Sequence, residues 1–186
     1  NQFGGIYMSL TIQKVTSYFK DLEKFEELNN EAFPDEERMS IQEMLNLVQS
    51  KKIEVSALYD KQQFIGFYVL MIENHIGYIL FLAISPEQRS KGYGGKALSL
   101  MKKQYPNCQI VLDMETIEDS APNLQQRILR KQFYLQNGFY ETEYLMEYKG
   151  LEMEVLCNQK TFQKNEFETL LKNLKIREIP FHLWKK

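Results

Sequence analysis

The sequence contains little of the chemistry that disulfide frameworks and metal sites require. Among its 186 residues there are two cysteines and two histidines, too few for a set of stabilising disulfides or for a zinc site. The composition, 44% hydrophobic and 26% charged, also excludes disordered and fibrous proteins. A chain of this length forms one domain, or one domain with a short appendage, and we expect it to bind no metal.

Long apolar runs are also missing. The best one, Ile76–Ile84, is about half as long as a membrane-spanning helix. The segment Asn1–Leu10 has neither the basic start nor the apolar core of a signal peptide. We therefore predict a cytoplasmic protein with no membrane partner. Residues 1–8 are interpreted as an expression remnant that runs into a natural start at Met8, and they are left out of the fold prediction.

Neither sign of charge is in large excess, because 23 basic and 25 acidic side chains give a net charge of −2. The charges are nevertheless segregated along the chain: acids dominate from Asp21 to Glu43, and bases dominate from Gln88 to Leu112. Proteins that bind nucleic acids usually present a basic face across a whole domain, so no nucleic-acid partner is expected. One anionic and one cationic ligand fit this distribution better.

Hydrophobic periodicity predicts both strands and helices. A first strand and two helices are followed by three strands that form an antiparallel meander. These three strands are predicted at Ile53–Tyr59, Phe64–Ile72 and Ile76–Ile84. A glycine-rich loop, a helix, another strand and a helix closed by Gly138 come next. The chain then forms a hairpin over 140–157 and a last amphipathic helix over Phe162–Leu174.

The most informative segment joins the last strand of the meander to the next helix. It is basic and carries glycines, with Arg89, Lys91 and Lys96 placed around Gly92 and Gly94. Glycines let the backbone curl so that successive amides point into one concavity, and the amino end of the helix adds the positive end of its dipole. The segment is therefore predicted to hold a phosphate or a pyrophosphate.

Two common phosphate-binding loops fit this segment poorly. A Walker loop would need a glycine at Ser90 and a serine or threonine at Ala97. A dinucleotide-binding fingerprint matches Gly92-x-Gly94-x-x-Ala97, with Asp113 about twenty residues further on. That fingerprint, however, requires a tight turn directly after the strand and a series of βαβ units, which the pattern does not show. The alternative prediction, an oxidoreductase with a nucleotide cofactor, is therefore supported by this spacing alone.

Two motifs, in this order, are similar to those of the GNAT acetyltransferase superfamily. An R-x-x-G-x-G motif over Arg89–Gly94, after an apolar strand, resembles the acetyl-CoA loop of that family. The run Arg130–Phe139 resembles the later signature, in which a helix ends in a tyrosine, three further residues and Gly-Phe. The resemblance covers about Ser9 to Cys157.

The resemblance implies an α+β fold class, a three-layer α/β/α arrangement with helices on a mixed, mostly antiparallel and splayed sheet of about seven strands. It assigns residues 9–157 to an acetyltransferase domain. Residues 158–186 are then a C-terminal helical extension, which is expected either to pack over the last hairpin or to form a homodimer contact.

Acetyl-CoA is the cosubstrate that the resemblance implies. Backbone groups of Leu82, Ala83 and Ile84 would contact the pantetheine arm, although the same strand is equally compatible with a plain core strand. The pyrophosphate would lie on amides of the loop and of the first helical turn, which comprise Arg89, Ser90, Lys91, Gly92, Tyr93, Gly94, Gly95 and Lys96.

The resemblance also implies a general acid, Tyr134, which would protonate the thiolate of CoA; the alternative role is aromatic packing. Some relatives carry a glutamate on the strand before the loop, but Ile79–Ile84 is apolar here. Glu115, at the end of the next strand, is the best candidate for the base, and deprotonation through water would need no single base. Arg127 lies where relatives often have asparagine, and it is expected to contact the pantetheine or the diphosphate.

The acidic loop between the first two helices borders the amine site in this family. Phe33, Glu36 and Glu37 would favour a cation with an aromatic or apolar portion, although exposed charges are also common as solvated side chains. We therefore expect an N-acetyltransferase that moves the acetyl group of acetyl-CoA to a small primary amine by direct attack in a ternary complex. The alternative is a non-catalytic acyl-CoA-binding module of the same fold.

Overall fold

The computed structural model describes residues 9–148, 150–174 and 182–186. The segment 1–8, interpreted above as an expression remnant, lies outside the described residues. The chain divides into two compact units. Unit 1 comprises residues 9–70 and 80–97, and unit 2 comprises the described part of 71–79 and 98–186. Each unit is treated by itself below.

The described residues form eight strands and five helices. The strands are β1 (Leu10–Lys14), β2 (Glu54–Asp60), β3 (Gln63–Glu73), β4 (Ile76–Ile84), β5 (Gln109–Glu115), β6 (Tyr140–Tyr148), β7 (Leu151–Cys157) and β8 (His182–Lys185). The helices are α1 (Leu22–Ala32), α2 (Ile41–Gln49), α3 (Tyr93–Gln104), α4 (Leu124–Gln136) and α5 (Lys164–Asn173).

The strands form one sheet in the order β1-β2-β3-β4-β5-β7-β6-β8. Strands β4 and β5 are parallel, whereas β1–β2, β2–β3, β5–β7, β6–β7 and β6–β8 are antiparallel pairs. A mixed, mostly antiparallel sheet with flanking helices confirms the predicted α+β fold class.

The predicted count of about seven strands was one short. Residues 158–186 were expected to be helical, but His182–Lys185 forms β8 and pairs with β6 from Tyr144 to Glu147. A four-residue strand at the edge of a sheet is too short to show a clear alternation of apolar and polar side chains. The sequence pattern of residues 158–186 therefore predicted the helix α5 but not the strand β8.

The core of unit 1 lies on β2 and β3, which are almost continuously buried. Continuous apolar runs are typical of strands that are covered on both faces. Phe25 of α1 packs on Phe67 of β3, with ring centroids 4.1 Å apart. Helix α1 ends before Pro34 because Phe33 adopts the extended backbone, φ −130° and ψ 135°, that a following proline favours.

Helix α2 begins with a complete capping box. The amide of Glu43 donates to the hydroxyl of Ser40 at 3.2 Å, and the amide of Ser40 donates to the Glu43 carboxylate at 2.8 Å. These two bonds satisfy donors that the first helical turn leaves without partners. They fix the end of the acidic loop that contains Phe33, Glu36 and Glu37.

Unit 2 has an aromatic core between its strands and α5. The ring of Phe167 lies 5.2 Å from that of Tyr78 and 5.7 Å from that of Phe162. At the end of α4, Gly138 has a φ of +81°, the left-handed conformation in which glycine often terminates a helix. The predicted role of Gly138 is thereby confirmed.

Candidate active site

The loop between β4 and α3 has backbone conformations suited to an anion. A single 3-10 turn, Pro86–Gln88, follows the strand, and Ser90 and Gly92 then have φ values of +61° and +87°. Left-handed residues between ordinary ones turn successive amides toward the same side, as in the nests that bind phosphate groups. The loop therefore has left-handed backbone at Ser90 and Gly92, one of which is a glycine of the predicted motif.

The amino end of α3 adds further donors. Its first turn is closed by a bond from the amide of Lys96 to the carbonyl of Gly92, 3.1 Å long. The amides of Tyr93, Gly94 and Gly95 therefore come before the regular bonding of the helix. The first turn carries no acidic side chain, so the positive end of the helix dipole stays available to an anion.

The side chain of Arg89 is held by the protein itself. Its Nε donates to the carbonyl of Ile84 at 3.0 Å, and its two terminal nitrogens donate to the Glu31 carboxylate at 3.1 and 2.5 Å. This bidentate pair connects the start of the loop to α1. The guanidinium is therefore engaged by the protein itself and holds the start of the loop.

Tyr93 likewise has a structural contact. Its hydroxyl donates to the carboxylate of Asp60 at 2.6 Å, which fastens the first turn of α3 to the end of β2. That hydrogen bond, with burial, raises the pKa of Tyr93. The cationic groups of Lys91 and Lys96 belong to exposed residues, and Lys91 donates to the side chain of Gln88 at 3.2 Å.

The backbone of β4 at Ala83 depends on a glycine in β3. A Cβ atom at Gly66 would collide with the carbonyl oxygen of Ala83 and would lie 3.0 Å from the Cα of Ile84. The strand that was predicted to contact pantetheine therefore approaches β3 more closely than a side chain would allow. Sequence reasoning missed Gly66, whose only signal is a lone glycine inside an apolar strand.

The predicted substrate residues differ in their surroundings. Phe33 packs edge to face on Phe81, with centroids 4.9 Å apart, and its ring is 6.3 Å from that of Phe67. Glu36 is exposed and Glu37 is half-buried. An apolar ring and acidic side chains therefore occur together in the loop after α1, within unit 1.

The predicted base, Glu115, is surrounded by cations and an amide. Arg127 and Arg130 approach its two oxygens at 3.3 and 3.7 Å, and the Asn123 side chain donates to it at 3.3 Å. Arg127 also donates to the carbonyl of Thr116 at 2.8 Å. In this arrangement Arg127 anchors the start of α4 to the end of β5, and its contacts are with the protein.

The predicted acid, Tyr134, lies near the end of α4 and is half-buried. Its ring contacts those of Phe133 and Phe139, at centroid distances of 5.1 and 5.7 Å. Burial raises the pKa of Tyr134 to about 12; the charge of Arg130 lowers it and that of Asp113 raises it. The phenol is therefore protonated at neutral pH and can act as a donor.

Unit 2 contains a second buried tyrosine whose carboxylate partner was not predicted from the sequence. Tyr78 of β4 is buried, and its hydroxyl donates to the carboxylate of Asp113 on β5. Burial and the negative charge of Asp113 raise the pKa of Tyr78 well above its ordinary value. Sequence reasoning considered Asp113 only as part of a dinucleotide fingerprint, because a pairing between two distant residues leaves no local pattern.

Unit 2 also contains a polar cavity of about 260 Å³, at the end of β5. The cavity is lined by Thr116, Ile117, Glu118, Lys131, Glu152, Glu154 and Lys186. Its most buried acid, Glu154, pairs with Lys131 at 2.9 Å, and Lys131 also pairs with Glu141. These ion pairs connect α4 to β6 and β7.

The predicted site residues thus fall into two groups. Unit 1 contains those assigned to acetyl-CoA and to the amine, and there the structure joins Arg89 to Glu31. Unit 2 contains Tyr134 and Glu115, together with the hydrogen bond between Tyr78 and Asp113. In the described residues there is no cluster of three or more His, Cys, Asp or Glu side chains that could hold a metal. No helix in the described part of the chain is long and apolar enough to cross a membrane.

Comparison with known proteins agrees with this arrangement. The model of the acetyltransferase (GNAT) family matches residues 19–139, whereas no curated protein matches the sequence. A GNAT-family protein from Bacteroides thetaiotaomicron has a similar structure, with a TM-score of 0.70 and 23% identity over 88% of this chain and 95% of that one.

Two further structures show the same fold at lower identity. A GNAT family acetyltransferase from Elizabethkingia anophelis, solved with acetyl-CoA bound, has a TM-score of 0.54 and 16% identity, covering 80% of this chain and 96% of that one. The aminoglycoside 6'-N-acetyltransferase from Enterococcus faecium has a TM-score of 0.60 and 13% identity, with 79% and 95% covered. Because the family match spans more than half of the sequence, this chain belongs to the GNAT acetyltransferase family, whose cosubstrate is acetyl-CoA.

Proposed function

We propose that the protein transfers the acetyl group of acetyl-CoA to the primary amine of a small cationic molecule, by direct attack in a ternary complex in the cytoplasm. The observation that carries this proposal is the loop Arg89–Lys96, where left-handed residues and the open end of α3 present amides beside exposed lysines. That arrangement suits the pyrophosphate of acetyl-CoA.

In this proposal the backbone of Leu82, Ala83 and Ile84 binds the pantetheine arm. Hydrogen bonds from backbone amides can also stabilise the charge that develops on the thioester oxygen. Gly66 keeps the carbonyl of Ala83 in its close position beside β3. Arg89 contributes by holding the loop on Glu31, so the loop keeps its shape before any ligand binds.

The chemical requirements of the reaction suggest roles for unit 2. An alkylamine with a pKa of about 10.4 is mostly protonated at neutral pH and must lose a proton before it attacks. The thiolate of CoA needs much less help to leave, since thiols have pKa values of about 8.5. Tyr134, which keeps its proton, donates to the sulfur as its negative charge develops.

The acceptor is proposed to be a cation with an aromatic or apolar portion. Phe33 offers an aromatic edge, while Glu36 and Glu37 offer negative charge in the same loop. Opposite charges attract over several ångströms, so these carboxylates lower the KM of a cationic amine. In this proposal residues 9–157 form the catalytic domain and residues 158–186 are an extension. The extension is proposed to form a homodimer contact, and light scattering would test this by measuring the mass of the protein in solution.

Release of the CoA thiol in the presence of amines tests the proposed function. We expect transfer to phenethylamine or related arylalkylamines, and a rise in amine KM of about 5-fold in the double variant E36Q/E37Q. The KM of acetyl-CoA should stay unchanged in that variant. An unchanged amine KM in the variant would contradict the substrate proposal, while the transfer reaction itself would stand.

One observation favours a second candidate, a non-catalytic acyl-CoA-binding module. The segment Ile79–Ile84 lacks the glutamate that some relatives carry before the loop. Tight binding of acetyl-CoA without thiol release in a broad panel of amines would establish this alternative. Thiol release that depends on an added amine would eliminate it.

A further inference from the structure

The acetyl-CoA loop of unit 1 is held at both of its ends by carboxylates. At the start of the loop, the two terminal nitrogens of Arg89 donate to Glu31 of α1 at 3.1 and 2.5 Å. At its end, the hydroxyl of Tyr93 donates to Asp60 of β2 at 2.6 Å. Two acids therefore flank a segment that is proposed to hold an anion.

The backbone between these two contacts is strained at one residue. Ser90 and Gly92 have φ values of +61° and +87°. Glycine adopts such values readily, whereas serine in the left-handed region is strained. A strained conformation persists only where the surrounding structure enforces it. The contacts at residues 89 and 93 restrict the backbone on either side of Ser90, and they favour its left-handed conformation.

The contact at the start of the loop has a fixed geometry. Besides its two bonds to Glu31, Arg89 donates from Nε to the carbonyl of Ile84 at 3.0 Å. The guanidinium therefore connects the last residue of β4 to α1. Isolated surface ion pairs contribute little to stability, but a bidentate arginine–carboxylate pair fixes the orientation of both groups. The two side chains are 46% and 45% exposed, so dissolved salt reaches the pair.

The contact at the end of the loop is more buried. Tyr93 is 7% exposed, and Asp60 is half-buried. A hydrogen bond from a phenol to a carboxylate is stronger than one between two neutral groups. Because Tyr93 is the first residue of α3, this bond fixes the first helical turn with respect to β2. It thereby orients the amides that the proposed function assigns to the pyrophosphate.

We propose that Glu31 and Asp60 are positioning residues for acetyl-CoA. They act through Arg89 and Tyr93, and they hold the loop in its binding conformation before the cosubstrate arrives. This inference rests on the proposed function, which assigns the pyrophosphate to this loop. A preformed site binds more tightly, because less free energy is spent on ordering the loop when the ligand binds.

Two possible roles of Glu31 predict opposite changes in affinity. A negative charge beside a pyrophosphate site repels the ligand. If this repulsion dominated, or if Arg89 left Glu31 to bind the phosphates itself, removal of Glu31 would strengthen acetyl-CoA binding. In the positioning role, removal of Glu31 weakens binding, because the start of the loop is no longer fixed. The sign of the change therefore separates the two roles.

The decisive variants are E31A and its matched control E27A. Glu27 is exposed and lies one turn before Glu31 on α1, so both variants remove one acid from the same helix. Calorimetric titration with acetyl-CoA should show about 5-fold weaker binding in E31A and binding within about 2-fold of wild type in E27A. Urea denaturation of both variants separates a loss of stability from a loss of affinity in the folded protein.

A double-mutant cycle tests whether Glu31 acts through Arg89. R89M should also weaken acetyl-CoA binding about 5-fold, and E31A/R89M should bind within about 2-fold of R89M, because both changes break one contact. The difference between wild type and E31A should shrink in about 1 M sodium chloride, since salt screens the exposed pair.

Y93F tests the contact at the other end of the loop. This variant keeps the ring and removes the hydroxyl that donates to Asp60, so we expect about 3-fold weaker acetyl-CoA binding. Y18F is the control and should bind within about 2-fold of wild type, because Tyr18 belongs to the same unit and is exposed.

Unchanged or tighter acetyl-CoA binding in E31A would overturn the role of Glu31. A loss in E31A/R89M equal to the product of the two single losses would do the same. Wild-type affinity in Y93F would overturn the role of Asp60. A wild-type protein that folds and binds no acetyl-CoA would instead contradict the proposed function, and this inference with it.

Discussion

Tyr134 keeps its proton throughout the physiological range, because burial raises its pKa to about 12. The raised pKa also makes the stability of the folded state depend on pH. A pKa that is higher in the folded state than its ordinary value of about 10 gives stability that is present below about pH 10 and is lost as the pH rises toward 12. Loss of activity at moderately alkaline pH should therefore come from another group.

Removal of the Tyr134 hydroxyl should impair the chemical step and leave binding intact. We expect kcat to fall about 100-fold in Y134F, with the KM of acetyl-CoA within about 2-fold of wild type, because the hydroxyl acts on the leaving sulfur. Wild-type kcat should show no decline from ionisation of this group below about pH 11. Steady-state kinetics from pH 6 to about 11 on the wild type, on Y134F and on the control Y140F measure both effects.

The close approach of Gly66 to Ala83 yields a prediction about cofactor binding. In G66A the added Cβ must displace the Ala83 carbonyl, so we expect a loss of about 1–3 kcal/mol in stability and at least a 5-fold weaker affinity for acetyl-CoA. G77A, on β4, is the control, since the nearest atoms to its Cβ are the ends of the flexible side chains of Ile110 and Ile72 and not backbone atoms. Equal acetyl-CoA affinities in both variants would contradict the proposed role of the β4 backbone.

At the scale of single elements, α4 is fixed more by charge than by apolar packing. None of its residues is fully buried. Lys131 contacts Glu141 of β6 and Glu154 of β7, and Arg127 contacts Glu115 of β5. The helix that carries Tyr134 is thus attached to three strands of unit 2 by ion pairs.

Replacing Lys131 should therefore destabilise unit 2. We expect K131M to lower the free energy of unfolding by about 3 kcal/mol at neutral pH, because the buried Glu154 would lose its 2.9 Å pair with Lys131 and keep only the 3.9 Å pair with Lys186. K164M, which breaks the surface pair of Lys164 with Glu168, should cost only about 0.5 kcal/mol. Urea denaturation of both variants measures the difference, and equal costs would contradict the role assigned to Lys131.

The same pairs predict the acid dependence of stability. The hydrogen bond from Lys131 holds the pKa of Glu141 below its ordinary 4.5. A lowered pKa in the folded state gives stability that is present above about pH 4.5 and is lost as the pH falls through the folded value. The difference between wild type and K131M should therefore shrink below about pH 4.5.

The sequence predicted elements well where periodicity is strong and long. The predicted bounds Ile76–Ile84 match β4, and the loop before α3 was predicted because glycines and bases are concentrated in it. The hydrogen bond between Tyr78 and Asp113 was not predicted, because the two residues are far apart in the sequence. Gly66 and β8 were missed for related reasons, since a close approach and a short edge pairing leave little local pattern.

At the scale of the whole molecule, the segregated charges have a structural counterpart within unit 1. The basic loop Arg89–Lys96 and the acidic helix α1 belong to the same unit and are joined by Arg89 and Glu31. Pairing of this kind reduces the net field of the unit without removing the exposed lysines of the loop. The near-zero net charge of −2 is therefore compatible with an anionic cosubstrate.

The most direct measurement is a calorimetric titration of the folded protein with acetyl-CoA, with CoA, NADH and ATP as comparison ligands. We predict one site per chain for acetyl-CoA and CoA, with affinities at least about 10-fold above those of NADH and ATP, because the pantetheine arm adds contacts along β4. No binding of acetyl-CoA or CoA to the folded protein, or preferred binding of NADH, would contradict the account.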